Sequence, residues 1–506
     1  MAGTLMLSVS GCRGIVGDTL TPQVAANFAG AYGAWLRERA GAAGVTVVIG
    51  RDGRAGGGEI HSAAMAGLIG AGCRVIDVGV AMTPTVAVMT DSYRHRASAG
   101  GGPPPSFAGM VVTASHNPQQ WNGLKCLLAE GGEFGSAACA PPAALAAAII
   151  ERFKAQSRAA DPVPADGGAE QDDTAVVEHT VRVYHALTES GLCDYAERLC
   201  EGLKVAVDCV NASGGTAAST FLEELGCDEV LSLNVDDSGV FPHPPEPTRE
   251  NLTLPGGLCE AVREAESDVG FAQDPDADRL ALIDEQGRYV GEEYTLALGA
   301  MALLEAETKR RRDGETRQGT PVLVTNLSTS RMIDDVAARY GARVIRTAVG
   351  EANVVEVMKR EKALAGGEGN GGVIWPRVTY VRDSLSAMAL VLWLMSPQGG
   401  GRGRKRTLSE LIAGLPSYAI EKRKVDLARR EDANPAIEKI AAAYKDQFVD
   451  RQDGAWVDFR TGPRAGKAWL HVRASNTEPI MRLIAEAPTA EQAQRLLDEA
   501  SRIIGP

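Results

Sequence analysis

The chain has 506 residues, of which 44% are hydrophobic, and its formal net charge at pH 7 is -13. This length is sufficient for roughly three to five domains of about 100 to 200 residues each. The negative charge argues against a nucleic-acid or anionic-membrane partner, because both require a basic face that displaces counterions. Nine cysteines without a CxxC spacing suggest neither a disulfide framework nor a zinc site.

Targeting signals are not evident at the amino terminus, which lacks a basic region followed by a long apolar one. The longest apolar stretches, such as residues 388–395, are too short to span a bilayer. We therefore expect a cytoplasmic protein without a membrane partner.

The first part of the chain has the alternation of strands and helices that is typical of βαβ units. Two strands and two helices are predicted there, over residues 45–49, 74–78, 22–39 and 59–71. The first helix is expected to begin at Thr21-Pro22. Ahead of it, glycines permit close backbone approach around Arg13. We interpret Arg51 and Asp52, which follow the first strand, as an ion-paired structural loop.

A serine loop comes next, with the sequence TASHNP at residues 113–118 after an apolar run at 109–112. Proline cannot continue a ladder, so the run is predicted to be a buried strand that ends there. Ser115 then lies at the carboxyl end of a strand, where open α/β sheets usually place their chemistry. Adjacent side chains of an extended segment point to opposite faces, so His116 is expected to be a poor base for Ser115. A plain turn serine is the alternative.

An acidic loop, DPDADR, follows a predicted strand over 268–273. Carboxylates at every second position of an extended loop face one side, so Asp274, Asp276 and Asp278 are expected to converge on a cation. An EF-hand is rejected, although Glu285 stands eleven residues after Asp274, because Arg279 occupies the glycine position and a strand follows. An acidic turn without metal remains the alternative.

A third α/β unit is predicted from residue 291 onward, with Val349-Gly350-Glu351 opening one of its helices. Its glycine-dense loop, at residues 366–372, contains Glu368 and Asn370. The loop lacks the Gly-Lys-Ser/Thr ending of a P-loop and the spacing of a dinucleotide fingerprint. Because a carboxylate accepts hydrogen bonds from hydroxyl or ammonium groups, we expect this loop to bind a sugar ring instead of a phosphate.

The last part of the chain changes pattern, with strands predicted over 456–459 and 469–473 and an amphipathic helix over 489–503, so it is expected to be α+β. Between the second strand and the helix lies RASNTEP, at residues 473–479, with Arg482 close behind. Guanidinium groups beside hydroxyl and amide donors suit a phosphate. A solvated turn is the alternative.

These patterns predict an α/β protein of three consecutive mixed-sheet domains and a carboxyl-terminal α+β domain. The predicted domain boundaries are 1–158, 175–288, 289–398 and 407–506, with a linker over 159–174. The candidate residues indicate phosphoryl transfer to or from a small polar molecule. They provide a nucleophile, an acidic metal site, a loop that binds hydroxyl groups and an arginine site for anions. A phosphomonoesterase and a non-catalytic sugar-phosphate binding protein are the other classes considered.

The four loops, in this order and one per domain, closely resemble those of the α-D-phosphohexomutases, the family of phosphoglucomutase, phosphomannomutase and phosphoglucosamine mutase. The resemblance spans essentially the whole chain and implies a four-domain, heart-shaped architecture. Some positions depart from the family pattern. Ala348 stands where many relatives have lysine, Gly369 and Asn370 differ from the common sugar loop GEQSGH, and Arg382 stands where relatives carry glycine.

The resemblance implies an isomerase that interconverts hexose 6-phosphate and hexose 1-phosphate through phosphorylated Ser115 and a hexose 1,6-bisphosphate. It implies Mg²⁺ on Asp274, Asp276, Asp278 and a phosphoserine oxygen of Ser115. Glucosamine phosphate is the expected substrate, because the loop at residues 367–372 resembles the form found in a branch of the family often assigned as phosphoglucosamine mutase. Mannose and glucose phosphates are the alternatives, and a sugar phosphatase is a more remote one. The protein is expected to be a monomer or a homodimer.

The implied site residues fall into four groups. The catalytic candidates near the serine are Ser115, Lys125, Arg13 and His116. The sugar-binding candidates are Glu368 and Asn370. The phosphate-binding candidates are Arg473, Ser475, Asn476, Thr477 and Arg482. Two further active-site candidates are Arg279 and Gly350.

Overall fold

The computed structural model contains four β-sheets that follow one another along the chain. It describes residues 5–41, 44–98, 106–129, 137–156, 169–194, 198–312, 314, 319–397, 399, 403–427, 429, 432–475 and 480–505. The first three sheets carry helices between their strands and mix parallel with antiparallel pairs. The fourth is antiparallel throughout. The predicted fold class is therefore confirmed.

The first sheet has seven strands in the order β1-β2-β6-β5-β3-β4-β7. Its elements are β1 Met6–Ser8, β2 Gly11–Ile15, α1 Pro22–Ala40, β3 Val45–Arg51, α2 Gly57–Gly70, β4 Arg74–Val80, α3 Thr83–Ser98, β5 Ser106–Val112, β6 Trp121–Ala129, α4 Ala143–Gln156 and β7 Glu170–Gln171. As predicted, α1 begins after Thr21, whose hydroxyl accepts a hydrogen bond from the Val24 amide at 3.3 Å. Strand β7 lies within the predicted linker and pairs with β4, so part of that stretch belongs to the first sheet.

The second sheet has the order β11-β10-β8-β9. Its elements are α5 Ala175–Glu189, β8 Lys204–Asp208, α6 Gly215–Glu224, β9 Glu229–Leu233, α7 Arg249–Leu252, α8 Leu258–Glu264, β10 Val269–Gln273 and β11 Leu280–Asp284. Strand β10 is central and buried along its whole length. The acidic loop connects it to β11.

The third sheet has the order β13-β12-β14-β15. Its elements are α9 Glu292–Arg312, β12 Val322–Asn326, α10 Met332–Arg339, β13 Arg343–Thr347, α11 Glu351–Glu361, β14 Ala365–Glu368, β15 Gly372–Ile374, α12 Ser384–Met395 and α13 Leu408–Ala413. The glycine-dense stretch forms the end of β14, the turn at residues 369–371 and the start of β15.

The fourth sheet has the order β16-β20-β19-β18-β17. Its elements are β16 Ala419–Asp426, α14 Ala433–Ala443, β17 Phe448–Asp450, β18 Ala455–Asp458, β19 Trp469–Ala474, β20 Ile480–Ala487 and α15 Ala490–Ile504. Each of the second, third and fourth sheets lies inside one predicted domain range, while the predicted boundaries themselves stay predictions.

One buried apolar cluster joins the first three units, with members from Met82 to Leu415. Its most apolar element is α12, every residue of which is buried. Asp383 caps that helix by accepting hydrogen bonds from the amides of Leu385 and Ser386, at 3.0 and 3.1 Å. Among the helices within the described ranges, none is long and apolar enough to cross a bilayer.

Candidate active site

The backbone of Ser115 adopts a left-handed conformation, with φ of 50°. Its amide donates to the Thr113 hydroxyl at 2.8 Å, and its own Oγ lies 3.2 Å from Nδ1 of His116. The prediction that these two side chains point to opposite faces is therefore wrong. It assumed an extended backbone, and the left-handed turn at Ser115 brings both side chains to one side.

Arg54 fixes the backbone of the serine loop. Its guanidinium donates to the carbonyl oxygens of Trp121 at 2.7 Å and Asn117 at 3.3 Å, and to that of Ser115. The side chain is wholly buried and pairs with Asp52 at 2.8 Å. Asp52 therefore has the predicted structural role, but its recorded partner is Arg54 instead of Arg51. The three backbone contacts of Arg54 could not be read from the sequence.

Arg13, on β2, approaches the same loop from the other side. Its Nη1 donates to Oδ1 of Asn117 at 2.9 Å and to the carbonyl oxygen of Ala114 at 3.3 Å. Burial lowers the pKa of Arg13, and the negative charge of Asp276 opposes that effect. An arginine stays protonated in either case, so the structure places a positive charge beside Ser115.

The three aspartates of the acidic loop converge as predicted, but the backbone is not extended. Asp274, Asp276 and Asp278 each offer an oxygen, and these three atoms lie within 4.8 Å of one another. Ala277 has a φ of 50° and donates its amide to the carbonyl oxygen of Asp274 at 2.9 Å. A tight turn, and not alternation along an extended segment, brings the carboxylates together.

The serine and acidic loops are in direct contact. The Ser115 hydroxyl donates to Oδ2 of Asp274 at 2.8 Å, across 159 residues of sequence. Ser115 is 2% exposed and the three aspartates are 0% exposed. Burial and the charges of Asp276 and Asp278 raise the pKa of Asp274.

Two further partners of the aspartates come from the first domain. Lys125, on β6, donates to Oδ2 of Asp276 at 3.0 Å and to Oδ2 of Asp278 at 2.8 Å. Thr83, at the start of α3, donates its hydroxyl to Oδ2 of Asp276 at 2.6 Å. Burial lowers the pKa of Lys125, but the two carboxylates outweigh burial and raise it. Lys125 is therefore a buried ammonium.

The donor set of this cluster fits a divalent cation. The Oδ1 atoms of Asp276 and Asp278 are buried, and neither has a hydrogen-bond partner among the described residues. Buried carboxylate oxygens without partners are costly unless a cation joins them. Hard cations such as Mg²⁺ prefer such oxygen ligands. Glu285, the EF-hand candidate, instead accepts hydrogen bonds from Ser409.

Arg279 adds a cation at the rim of the aspartate cluster. Its Nε lies 3.9 Å from Oδ2 of Asp274 and 3.8 Å from Oδ1 of Asp278. The positive charge of Arg279, together with burial, holds the pKa of His116 well below its usual value. The imidazole beside Ser115 is therefore neutral.

The predicted sugar loop lies against the acidic loop. Gly371, with φ of 84°, accepts a hydrogen bond from the Leu280 amide at 3.1 Å, and a Cβ added to it would lie 2.4 Å from the Leu280 carbonyl oxygen. Glu368 accepts hydrogen bonds from Asn326 at 2.7 Å and from the Gly350 amide at 3.1 Å. Oδ1 of Asn370 is buried and has no partner among the described residues.

Arg382 joins the sugar loop to the acidic loop, a role that was not predicted. It donates to Oε2 of Glu368 at 2.8 Å and to Oδ2 of Asp278 at 2.7 Å. Its Nε lies 2.8 Å from Oε2 of Glu351. Nothing in the sequence pattern revealed these partners.

The carboxyl-terminal domain presents cations in one row on one face of its sheet. Arg473 on β19 lies directly opposite Arg482 on β20, and Lys424 on β16 lies opposite Arg482 from the other side. Like charges directly opposite each other are destabilising, so this row favours an anion. Ser475 is buried and donates its amide to Ile480 at 2.9 Å. Asn476 and Thr477 lie outside the described residues.

Arg473 is connected to the sugar loop by hydrogen bonds. Its Nε donates to Oδ2 of Asp453 at 2.9 Å, and the same oxygen accepts from the Val349 amide at 3.1 Å. The next residue, Gly350, donates to Glu368 at 3.1 Å. A continuous path therefore runs from the row of cations to the aspartate cluster through Asp453, Glu368 and Arg382.

The site is suited to phosphoryl transfer. It contains a buried serine hydroxyl beside three carboxylates that could hold a cation, and a separate row of cations that could bind an anion.

Comparison with known proteins identifies the family. Four models of the phosphoglucomutase/phosphomannomutase family match in order: alpha/beta/alpha domain I at residues 5–152, domain II at 184–287, domain III at 297–418 and the C-terminal domain at 424–503. The chain belongs to this family, the α-D-phosphohexomutases, and the predicted resemblance is confirmed.

Similar proteins carry names of mutases. A probable phosphoglucosamine mutase from Methanopyrus kandleri is 32% identical over 98% of this chain and 96% of its own. A phosphoglucomutase/phosphomannomutase from Thermococcus kodakarensis is 33% identical over 98% of this chain and 97% of its own. A solved phosphoglucomutase/phosphomannomutase family protein from Burkholderia thailandensis has a TM-score of 0.76 at 26% identity, covering 99% and 98% of the two chains. The chain is therefore a phosphohexomutase, an isomerase.

Proposed function

We propose that this phosphohexomutase interconverts glucosamine 6-phosphate and glucosamine 1-phosphate through a phosphoserine at Ser115 and a hexose 1,6-bisphosphate. The observation that carries the proposal is the position of the Ser115 hydroxyl, 2.8 Å from Asp274 inside the buried aspartate cluster. Phosphoryl transfer requires a nucleophile that lies next to a bound cation, and here the nucleophile contacts a group of carboxylates that could hold one.

In the proposed first half-reaction, the free hydroxyl of a hexose monophosphate attacks the phosphorus carried by Ser115. A new oxygen–phosphorus bond forms on the sugar and the bond to Ser115 Oγ breaks. The proton that the sugar hydroxyl loses is taken up by Ser115 Oγ, with His116 as its carrier. The resulting bisphosphate then reverses its orientation in the site, so that its other phosphate faces Ser115. Ser115 Oγ then attacks the other phosphate, the bond between that phosphorus and the sugar oxygen breaks, and the serine proton passes to the sugar oxygen. This restores the phosphoserine and releases the isomeric monophosphate.

Asp274, Asp276, Asp278 and a phosphoserine oxygen would hold Mg²⁺, which when bound supplies positive charge to the transferring phosphoryl group. The chain's own residues supply the rest. The charges of Lys125 and Arg13 offset that of the phosphoserine, which adds about -1.5 to -2 beside three carboxylates. Neutral His116 is suited to accept or return a proton at Nδ1, 3.2 Å from Ser115 Oγ. Arg279 adds a further positive charge.

The sugar and its non-reacting phosphate are assigned to the other two loops. Glu368 and Asn370 would contact the ring, with Gly350 holding Glu368 in place. Arg473, Ser475, Asn476, Thr477 and Arg482 would bind the phosphate. The support is the row of opposed guanidinium groups, which an anion would stabilise.

The preference for glucosamine rests on the names of similar proteins, several of which are probable phosphoglucosamine mutases. The runner-up, a phosphomannomutase or phosphoglucomutase, is favoured by the relative from Thermococcus kodakarensis. Glu368 alone does not separate them, because a carboxylate can bind ring hydroxyls as well as an ammonium group. A cytoplasmic location and a monomeric or dimeric state stay predictions.

The test is a coupled assay of glucosamine, mannose and glucose 6-phosphates, on the wild-type protein and on Glu368→Gln. We expect the highest kcat/KM with glucosamine 6-phosphate and a lower value in the variant. A tenfold preference for a neutral sugar, about 1.4 kcal/mol in the transition state, would overturn the glucosamine assignment and leave the mutase intact. Steady release of inorganic phosphate without isomer would indicate a phosphatase.

A further inference from the structure

A fully buried histidine lies outside the site described so far. His179, on α5, is 0% exposed. Its Nδ1 lies 2.9 Å from the hydroxyl oxygen of Thr85 on α3, and its Nε2 lies 3.3 Å from Oδ2 of Asp383 at the start of α12. Both partners are also 0% exposed. One imidazole therefore contacts two helices that come from distant parts of the chain.

Packing alone does not explain this histidine. Burying polar groups is costly unless they contact one another, and an apolar side chain would fill the same interior position on α5 without that cost. Burial raises the pKa of Asp383, but the imidazole of His179 and a hydrogen bond from the Ser386 hydroxyl outweigh burial and lower it. The imidazole and the carboxylate therefore stabilise each other in the interior.

The start of α3 holds one side of the acidic loop. Thr83 lies two residues before Thr85, in the first turn of the helix. Its amide donates to the carbonyl oxygen of Asp276 at 3.0 Å, and its hydroxyl donates to Oδ2 of the same residue at 2.6 Å. The helix that carries one partner of His179 thus also fixes one of the three carboxylates.

The start of α12 holds the other side of the acidic loop. Ser384 follows Asp383 and donates its hydroxyl to the carbonyl oxygen of Ala277 at 2.7 Å. The same hydroxyl accepts a hydrogen bond from Nε2 of Gln273 at 2.8 Å. Ala277 has a φ of 50°, a conformation that persists in alanine only where the surroundings fix it. Ser384 supplies such a contact at the turn that brings the three carboxylates together.

We propose that His179 is a positioning residue that ties α3 to α12 and thereby holds the turn of the acidic loop in the shape that brings its three carboxylates together. It acts through Thr85 and Asp383 on the two helix starts that contact the loop. The proposal rests on the proposed function, because the cation site at the aspartates is assigned there. It adds that the affinity for the cation depends on a residue of α5.

The test is calorimetric titration with Mg²⁺, well below the Tm of each variant so that every sample is folded. In His179→Leu, which removes both polar contacts, the Kd should rise about threefold to tenfold. This is less than the loss of about tenfold to hundredfold that is typical of residues in direct contact with metal ligands. His179→Gln, whose amide can still donate to Asp383, should lie between this variant and the wild type. Intact mass verifies equal phosphate on Ser115 in all samples.

His185→Leu is the matched control, because His185 lies on the same helix with an exposed side chain. It should leave the Kd unchanged. A lower Tm with an unchanged Kd in His179→Leu would show a role in stability alone and overturn the proposal. If that variant fails to fold, Thr85→Val replaces it. Thr85→Val removes one contact with little change of shape and should raise the Kd in the same direction, and an unchanged Kd there would also overturn the proposal.

A second pair of variants tests the route through α12. Ser384→Ala removes the hydroxyl contact to Ala277 and should weaken Mg²⁺ binding by itself. Residues of one network have effects that do not combine independently. The rise in Kd in the double variant with His179→Leu should therefore be smaller than the product of the two single rises. A rise equal to that product would overturn the proposal.

The two ideas fail differently. A wild-type protein that binds no Mg²⁺ and needs none for turnover contradicts the cation site of the proposed function. A wild type that binds Mg²⁺, with the same Kd in His179→Leu, contradicts only the positioning role of His179.

Discussion

The serine and acidic loops differ sharply from the carboxyl-terminal domain in how their charges are arranged. Around Ser115, three buried carboxylates face Lys125, Arg279 and Arg382 at distances from 2.7 to 3.9 Å. In the carboxyl-terminal domain, Arg473, Arg482 and Lys424 lie in one row, and the recorded carboxylate partner of Arg473 is Asp453. In the first region carboxylates and cations contact one another, whereas in the second cations lie directly opposite one another across paired strands.

This difference matches two tasks. Charges that are fixed before the reaction stabilise a transition state without reorganisation, so the first region is suited to the chemical step. Cations that lie opposite one another repel, and a bound anion relieves that repulsion, so the second region is suited to binding. Substitutions in the first region should therefore lower kcat, and those in the second should mainly raise KM.

The largest effect is expected for Ser115→Ala, which removes the proposed phosphate carrier. Turnover should fall by at least about 10⁴-fold, the scale of losing a catalytic nucleophile. Intact mass and peptide mapping should detect one phosphoryl group on Ser115 in the wild type and none in the variant. Ser98→Ala, at the exposed end of α3, is the control. Full activity of Ser115→Ala with a sugar bisphosphate present would contradict the covalent mechanism.

Next in size is the cation dependence of the aspartate cluster. Chelation should abolish turnover and Mg²⁺ should restore it, while Asp276→Asn should lower kcat by at least about 100-fold, as for a principal electrostatic stabiliser. Calorimetric titration with Mg²⁺ provides a measurement independent of activity. Asp237→Asn, on an exposed loop of the same domain, should change neither quantity. Undiminished turnover in chelator would remove the metal from the mechanism.

A smaller effect, on binding, is expected for Arg473→Ala. KM should rise about tenfold to a hundredfold, the scale of a charged hydrogen bond, because the contact to the non-reacting phosphate exists in both ground and transition states. The amount of phosphate on Ser115 should be unchanged. If KM stayed at the wild-type value, the row of cations would have only a structural role.

The smallest effect is expected for Lys424→Ala, at the exposed end of the row. KM should rise by about twofold to threefold at low ionic strength, because an exposed charge contributes little. The difference should disappear in about 1 M salt, where the Debye length is about 3 Å. Lys467→Ala, an exposed lysine of the same domain, is the control. An increase that persisted in high salt would argue against a screened electrostatic contact.

Local sequence signals predicted much of the fold because they act over a few residues. Thr21-Pro22 marked the start of α1, and the apolar run before Asp274 marked a buried strand. Two local geometries were wrong, at Ser115 and Ala277, since both residues adopt a positive φ that is uncommon for their types. Strand β7 was also missed, as its two residues, Glu170 and Gln171, carry no strand pattern.

By itself, the sequence determined the family to which the chain belongs and predicted four candidate loops for the chemistry, because loop composition and order are properties of the chain alone. Only the tertiary structure decided which side chains meet. Arg382 and Asp278 are 104 residues apart, and Arg54 and Ser115 are 61 apart. No periodicity or spacing encodes such pairs, because they depend on which strands pair within a sheet and on how separate sheets pack against one another.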